Sequence, residues 1–335
     1  MAFIKKLLVT GVIASVTAVA GFSYWARSPI TSDATPQPLI EFSINPGSGV
    51  GAAAQQMARA GVPVNPQLFN LLARLTGQAG KIKAGSYELK PNTSPRALLR
   101  QLVRGEFAQE AVTIIEGWTF RQMRSALAGH DRLRHDTVQL SDRELMAKIS
   151  TEYSSPEGLF FPDTYLFAKG SSELDIYRKA HQAMLNHLKA AWDGRDTSLP
   201  YKNPYEALVM ASIIEKETGQ KSERTMIAGV FVNRLRTGML LQTDPTVIYG
   251  MGERFVGQIR KKDLETDTPY NTYTRAGLPP TPISLPGVQS LAAAMTPAKT
   301  QALYFVSRGD GTSQFSDNLN DHNRAVNQYQ RRINQ

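Results

Sequence analysis

The chain has 335 residues, of which 41% are hydrophobic and 20% are charged, so it can bury a sizeable core and is not wholly disordered. It contains no cysteine, which excludes a disulfide scaffold, a thiol nucleophile and cysteine-ligated zinc or iron–sulfur sites. The net charge of +9 favours polyanionic surroundings but does not choose among nucleic acid, anionic lipid and acidic polymer.

The first predicted element is an uncharged apolar segment at residues 7–25. As a helix it would be about 28 Å long, close to the thickness of the hydrocarbon layer of a membrane. Lys5 and Lys6 precede it and Arg27 follows it, which predicts a cytoplasmic stub and single transmembrane anchor at residues 1–27, with an exported body. A cleaved signal peptide is the alternative, because residues 18–20 (AVA) resemble a cleavage site.

Residues 28–38 are polar and contain prolines, which is typical of a linker. A small αβ unit is predicted over residues 39–105. Its order of strand, helix, helix and strand resembles a LysM-like carbohydrate-binding module, but a generic α+β spacer domain would show the same order. The predicted strands span residues 39–44 and 85–89, and the predicted helices span residues 50–60, 66–75 and 95–104.

A larger domain is predicted over residues 106–335. Glycine and proline are dense between residues 238 and 287, so its C-terminal third should be rich in loops, where functional sites tend to form. The predicted fold class is therefore α+β, with one N-terminal transmembrane helix, the small LysM-like module and this larger domain. Its predicted elements are a strand at residues 111–115 and helices at residues 120–128, 142–150, 174–192, 203–219 and 222–235.

The most informative of these helices spans residues 203–219. Asn203 suits its N-cap and Pro204 suits its first helical position. At about 100° per residue, Glu217 projects in nearly the same direction as Met210, in the middle of the apolar face. Burial raises the pKa of an unpaired carboxyl group, and a raised pKa is what a general acid needs near neutral pH. Glu217 is therefore the candidate acid.

Two further interpretations concern the same helix. A buried salt bridge would also explain a glutamate on an apolar face, with Arg224 or Arg234 as the partner. Glu215 lies two residues from Glu217, so it should point away from the apolar face and cannot form a close carboxylate pair with it.

Other chemistries find little support in the residues. The sequence has no H-E-x-x-H motif, no phosphate-binding glycine loop and no G-x-S-x-G motif. The five histidines lack metal-ligand spacing, and the basic residues are not interleaved with aromatic ones. We therefore expect no metal, no organic cofactor and no nucleic-acid partner.

Several motifs, taken together and in order, resemble those of the endolytic murein transglycosylase family (YceG-like). The resemblance covers most of the chain after the apolar segment. The motifs are EGLFFPDTY at residues 157–165, ASIIEKET at 211–218, FVNRL at 231–235, QTDPTVIYG at 242–250, YNTY at 270–273, GLPP at 277–280, YFV at 304–306 and HNRAV at 322–326.

The resemblance implies a membrane-anchored enzyme of the cell inner membrane whose catalytic domain lies on the periplasmic side. Its reaction would cleave the β-1,4 bond between N-acetylmuramic acid and N-acetylglucosamine inside nascent peptidoglycan strands, leaving 1,6-anhydro ends. The family's catalytic glutamate matches Glu217, which would act as acid and then as base. Peptidoglycan synthases are further partners that the family suggests, and the residues expected to orient the sugar are Gln242, Asp244, Tyr249, Asn271 and Tyr273.

Three alternatives remain at this point. A hydrolytic muramidase would need a second carboxylate, for which Asp244 is the best candidate. A non-catalytic, membrane-anchored scaffold would bind peptidoglycan without cutting it. A basic protein held on anionic lipid would need a cluster of charges that the sequence does not show.

Overall fold

The computed structural model describes residues 2–30, 40–217 and 220–331. Its helices and strands are mixed, and the described strands form three two-stranded sheets. The chain divides into two compact units, one comprising Met1–Glu110 with Leu166–Gly170 and the other Ala111–Tyr165 with Ser171–Gln335. The fold class was predicted to be α+β, and the mixture of helices and strands that this prediction contains is confirmed.

The first unit begins with helix α1 (Ala2–Arg27). Its segment Val9–Arg27 is long and apolar enough to cross a membrane, and Val9 to Val19 include valines and an isoleucine that are 57–67% exposed. The last turns pack differently, because Ala26 is buried in the unit's core and Trp25 is partly buried against it. The predicted linker falls largely on residues 31–38, outside the described residues.

The remainder of this unit has the predicted order of elements. Strands β1 and β2 pair antiparallel, with Phe42 opposite Tyr87 and their rings stacked 5.6 Å apart. Asn65 and Ser94 cap the second and third of its short helices with their side chains. The LysM-like character stays a prediction. The bounds are β1 (Ile40–Ile44), α2 (Val50–Arg59), α3 (Pro66–Leu75), β2 (Gly85–Leu89) and α4 (Pro95–Arg104).

The rest of the chain is mainly helical. The region predicted to be rich in loops contains two short helices, and a β-hairpin packed against a helix follows it near the C-terminal end of the described chain. The bounds are β3 (Gln109–Thr113), α5 (Phe120–Ala128), α6 (Asp142–Ala147), β4 (Thr164–Ala168), α7 (Glu173–Asp193), α8 (Pro204–Glu217), α9 (Arg224–Thr237), α10 (Asp244–Met251), α11 (Lys261–Glu265), α12 (Val288–Met295), β5 (Tyr304–Ser307), β6 (Ser313–Ser316) and α13 (Leu319–Val326).

Helix α8 lies at the centre of the second unit. As predicted, it starts at Pro204, and Asn203 Oδ1 accepts a hydrogen bond from the Glu206 amide at 3.0 Å. The expectation of a single apolar face is wrong, because α7, α9, α10 and α12 all pack on α8. Every residue from Ala207 to Ile214 is consequently buried, whichever way it points. The C-terminal end of α8 opens towards a cavity, which Glu217 lines.

Candidate active site

Glu217 is the last residue of α8, and its side chain lines a cavity of about 910 Å³. Binding sites for small molecules commonly have volumes of roughly 300–1,000 Å³, so this cavity has room for a substantial ligand. One wall comes from α8, α9 and the segment that enters α10. The rest of the lining comes from β5, the turn to β6 and α13.

The Glu217 carboxyl group has one hydrogen-bond partner among the described residues. Thr243 donates its hydroxyl to Glu217 Oε2 at 2.8 Å. Thr243 is itself buried and fixed, because Thr272 Oγ1 accepts a hydrogen bond from the Thr243 amide at 3.1 Å. Thr243 was not among the residues expected to form the site, although it lies in the QTDPTVIYG motif.

Burial raises the pKa of Glu217 to about 7, and the charge of Asp244 adds to this rise. The Thr243 hydrogen bond and the positive charge of Arg234 act in the opposite direction, but they do not offset the desolvation. Near neutral pH the group is therefore present in both protonation states. A carboxyl group in this condition can donate a proton and take one back.

Arg234 lies close to Glu217 without neutralising it. Its guanidinium is held by backbone carbonyls, with Nε donating to Leu303 at 2.7 Å and Nη1 donating to Leu241 at 2.9 Å. Among the described residues, Glu217 has no ion-pair partner within 4.0 Å. The alternative of a buried salt bridge for Glu217 is therefore not what the structure shows.

The buried ion pair belongs to Glu215 instead. Arg224 Nη2 donates to Glu215 Oε1 at 3.0 Å, and the Gly287 amide donates to Oε2, also at 3.0 Å. The Glu215 and Arg224 side chains are 5% and 6% exposed. Glu215 was expected to point away from the apolar face, yet its side chain is buried, because neighbouring elements enclose α8 on that side as well.

Three of the residues expected to orient a sugar line the same cavity as Glu217: Gln242, Asp244 and Tyr273. The Tyr273 hydroxyl donates to Asp244 Oδ1 at 2.6 Å. Gln242 has a left-handed backbone with φ of 52°, an unusual conformation for a residue other than glycine. Its backbone N–H donates to the Thr272 carbonyl at 3.0 Å. The loop therefore presents an amide, a carboxylate and a phenol to the cavity.

The other two, Asn271 and Tyr249, do not belong to the residues that line the cavity in the described chain. Asn271 is buried, and its amide nitrogen donates to the carbonyls of Leu264 and Thr266. Tyr249 donates its hydroxyl to Glu157 Oε2 at 3.1 Å. The geometry gives both side chains a role in holding loops together.

Glu157 is a second carboxyl group with a raised pKa, and it was not among the residues expected to form the site. It is buried, its Oε1 accepts a hydrogen bond from the Phe120 amide at 2.9 Å, and burial raises its pKa to about 7. The hydrogen bonds from Phe120 and Tyr249 oppose that rise. Glu157 begins the EGLFFPDTY motif, which could have drawn attention to it. The motif alone does not show that the Phe120 amide and the Tyr249 hydroxyl enclose its carboxyl group.

The chemistry of the cavity is that of acid–base groups. Among the described residues, no group of three or more His, Asp or Glu side chains could hold a metal ion. A titrating carboxyl, its hydroxyl donor and a polar loop suit proton transfer to and from a bound ligand.

Comparisons with known proteins agree with the sequence motifs. The sequence model of the YceG-like family matches residues 42–328. The "Endolytic murein transglycosylase" of Bacillus subtilis is 31% identical to this chain over 90% of the chain and 87% of the Bacillus protein. The protein of the same name from Streptococcus pneumoniae D39 is 28% identical, and the match covers 97% of this chain but only 64% of the pneumococcal protein.

A solved structure gives the same result. The crystal structure of a YceG-like protein from Listeria monocytogenes superposes with a TM-score of 0.54 at 30% sequence identity. The match covers 85% of this chain and 98% of the Listeria chain.

Proposed function

This chain belongs to the YceG-like family, and from that membership and the geometry around Glu217 we propose that it is an endolytic lytic transglycosylase acting on peptidoglycan. The bond cut is the β-1,4 link between N-acetylmuramic acid and N-acetylglucosamine inside a strand. The observation that supports this assignment best is a carboxyl group with a pKa of about 7 on the wall of a large polar cavity.

The proposed reaction uses Glu217 twice. In its protonated form Glu217 donates to the glycosidic oxygen, and the bond from that oxygen to the muramic acid C1 breaks. The C6 hydroxyl of the same muramic acid then attacks C1, and its proton passes to the Glu217 carboxylate. The anhydro ring closes, the acid is restored and no water is consumed. Attack by this tethered hydroxyl is favoured over attack by free water, because the hydroxyl is already held close to C1.

The neighbours of Glu217 suit this cycle. Thr243 and Arg234 stabilise the carboxylate that exists between the two proton transfers, because one donates a hydrogen bond and the other supplies positive charge. Gln242, Asp244 and Tyr273 are proposed to orient the sugar through its hydroxyl and acetamido groups.

The cellular setting is a further part of the proposal. Helix α1 fits a single-pass anchor in the inner membrane, with the remainder of the chain on the periplasmic side. The small unit is proposed to bind glycan strands as a LysM-like module, and peptidoglycan synthases are proposed as partners.

The test is digestion of polymerised peptidoglycan followed by mass spectrometry. We expect products whose new ends are lighter by one water than those of a hydrolase, and a loss of turnover on the order of 1,000-fold for Glu217→Gln. The matched control is Glu206→Gln on the same helix, which should keep full turnover. Reducing ends from the wild-type protein would indicate a muramidase, and undiminished strand binding without any products would indicate a scaffold.

A further inference from the structure

The cavity that Glu217 lines also carries a stack of polar and aromatic side chains, of which Tyr304 and His322 have no role in the proton transfers described above. The His322 ring on α13 lies parallel to the Tyr304 ring on β5, with centroids 5.1 Å apart and planes 23° apart. The guanidinium carbon of Arg234 lies 5.2 Å from the Tyr304 centroid. All three residues line the cavity.

The two ring nitrogens of His322 differ in their surroundings. Nδ1 is buried and has no hydrogen-bond partner among the described residues. His322 lines the cavity, and since Nδ1 is buried, Nε2 is the nitrogen left to face it. Burial and the charge of Arg234 both lower the pKa of His322, so the ring is neutral at pH 7.

A neutral imidazole carries one proton, and the burial of Nδ1 indicates where that proton lies. An unpaired buried N–H group is rarer in folded proteins than an unpaired buried acceptor. The proton is therefore placed on Nε2, which makes His322 a hydrogen-bond donor towards the cavity.

Arg234 adds a donor beside the same Tyr304 ring. Its Nε and Nη1 are used by the carbonyls of Leu303, Leu240 and Leu241. Its Nη2 has no hydrogen-bond acceptor within the described part of the chain, while the side chain lines the cavity. His322 Nε2 and Arg234 Nη2 are thus two hydrogen-bond donors beside the Tyr304 ring, and a ligand that pairs with them must offer an oxygen acceptor.

The charges around the cavity indicate which kind of oxygen acceptor on the ligand can bind there. Within the described part of the chain, three carboxyl groups, Glu217, Glu223 and Asp244, line it together with one arginine, Arg234. A ligand carboxylate would be repelled by these groups, whereas a neutral carbonyl would not. Amide carbonyls are neutral and are strong acceptors.

We propose that His322 Nε2 and Arg234 Nη2 form a subsite that binds an amide carbonyl of the substrate against the Tyr304 ring. This inference rests on the proposed function, since peptidoglycan offers such carbonyls from two sources, the acetyl groups of its sugars and its stem peptides. The subsite determines how tightly the strand binds and leaves the proton transfers to Glu217.

The experiment measures strand affinity in the full-length protein carrying Glu217→Gln, so that bound strands are not cut. In this background His322→Phe keeps a stacked ring and removes the donor, and we expect about fivefold weaker binding, the effect of one hydrogen bond. His322→Gln restores an N–H and should recover most of the affinity. Arg324→Ala, on the same helix but outside the cavity lining, is the matched control and should change nothing.

Two altered substrates identify the carbonyl. The penalty of His322→Phe should vanish either on de-N-acetylated strands or on strands stripped of stem peptides, and should persist on the other. A penalty that persists on both, or no penalty on native strands, would overturn the subsite.

The substrates also give a measurement that needs no change at His322. The parent protein should bind one of the two altered strands about fivefold more weakly than native strands, and equal binding of all three contradicts the proposal. If the wild-type protein cuts native strands but His322→Phe does not weaken strand binding, the subsite is refuted and the proposed function is not. If the wild-type protein neither binds nor cuts native strands, the proposed function and the subsite fail together.

Discussion

Glu217 and Glu157 are both carboxyl groups that burial shifts to a pKa of about 7, yet they lie in different surroundings. Glu217 opens onto a cavity of about 910 Å³, whereas Glu157 is enclosed between the Phe120 amide and the Tyr249 hydroxyl. A raised pKa therefore does not by itself identify a catalytic acid. Access for a ligand separates the two, and this is why Glu217 is the proposed acid while Glu157 is assigned a structural role.

A third carboxyl group extends the comparison, because the Glu215 side chain is also largely buried but is paired with the charge of Arg224. Replacing Arg224 with Met leaves the Glu215 carboxylate without its cation, so we expect the free energy of unfolding to fall by about 3–5 kcal/mol. Denaturant unfolding measures this loss. The double variant with Glu215→Gln should recover part of it, and a single variant as stable as the wild type would show that the ion pair does not hold α8 and α9 together.

The pH dependence of stability provides the next prediction. A pKa of about 7 in the folded state lies above the ordinary value of 4.5, so the folded protein binds more protons than the unfolded chain between these pH values. Below pH 4.5 the protonated Glu217 does not reduce the free energy of unfolding. That free energy falls as the pH rises from 4.5 through 7, because the carboxyl group ionises more readily in the unfolded chain than in its buried place. At pH 8, Glu217→Gln should therefore be up to about 3 kcal/mol more stable than the wild type.

Unfolding midpoints measured from pH 4.5 to 8 check this prediction. Glu157→Gln should flatten the same pH dependence, since the pKa of Glu157 is shifted in the same direction. Parallel stability curves for the wild type and Glu217→Gln would contradict the burial of that carboxyl.

Activity should distinguish the two glutamates, although their pKa values agree. Glu157 is not needed as a proton donor, so Glu157→Gln should reduce turnover less than about tenfold, while Glu217→Gln abolishes most of it. The residual effect comes from the hydrogen bonds to Phe120 and Tyr249, which the amide can only partly reproduce. Turnover of polymerised peptidoglycan by both variants is the measurement, and equal losses would undo the distinction drawn from access.

The sequence allowed the helix that carries Glu217 to be found, because its cap and its apolar residues are local features. It did not allow the environment of Glu215 to be found, since helical periodicity describes one helix and not the elements that pack around it. Asn271 and Tyr249 have side chains that suit a sugar, and only the fold shows that their hydrogen bonds are used internally.

The part of the cavity lined by Tyr304 and His322 could not be predicted from the sequence, for a related reason. Tyr304 and His322 lie about 90 and 105 residues beyond Glu217 in the chain, and their motifs carry no sign of what they face. The hairpin and α13 bring them to the cavity through tertiary contacts. Such long-range contacts decide which of many polar residues share one site.

The most direct measurement is the titration of Glu217 itself, by carbon NMR of labelled glutamate carboxyl groups with Glu217→Gln to assign the signal. We predict a midpoint near pH 7, and turnover that falls as the pH rises through the same point because the protonated acid is lost. A midpoint near 4.5, with turnover unchanged across that range, would contradict Glu217 as the proton donor.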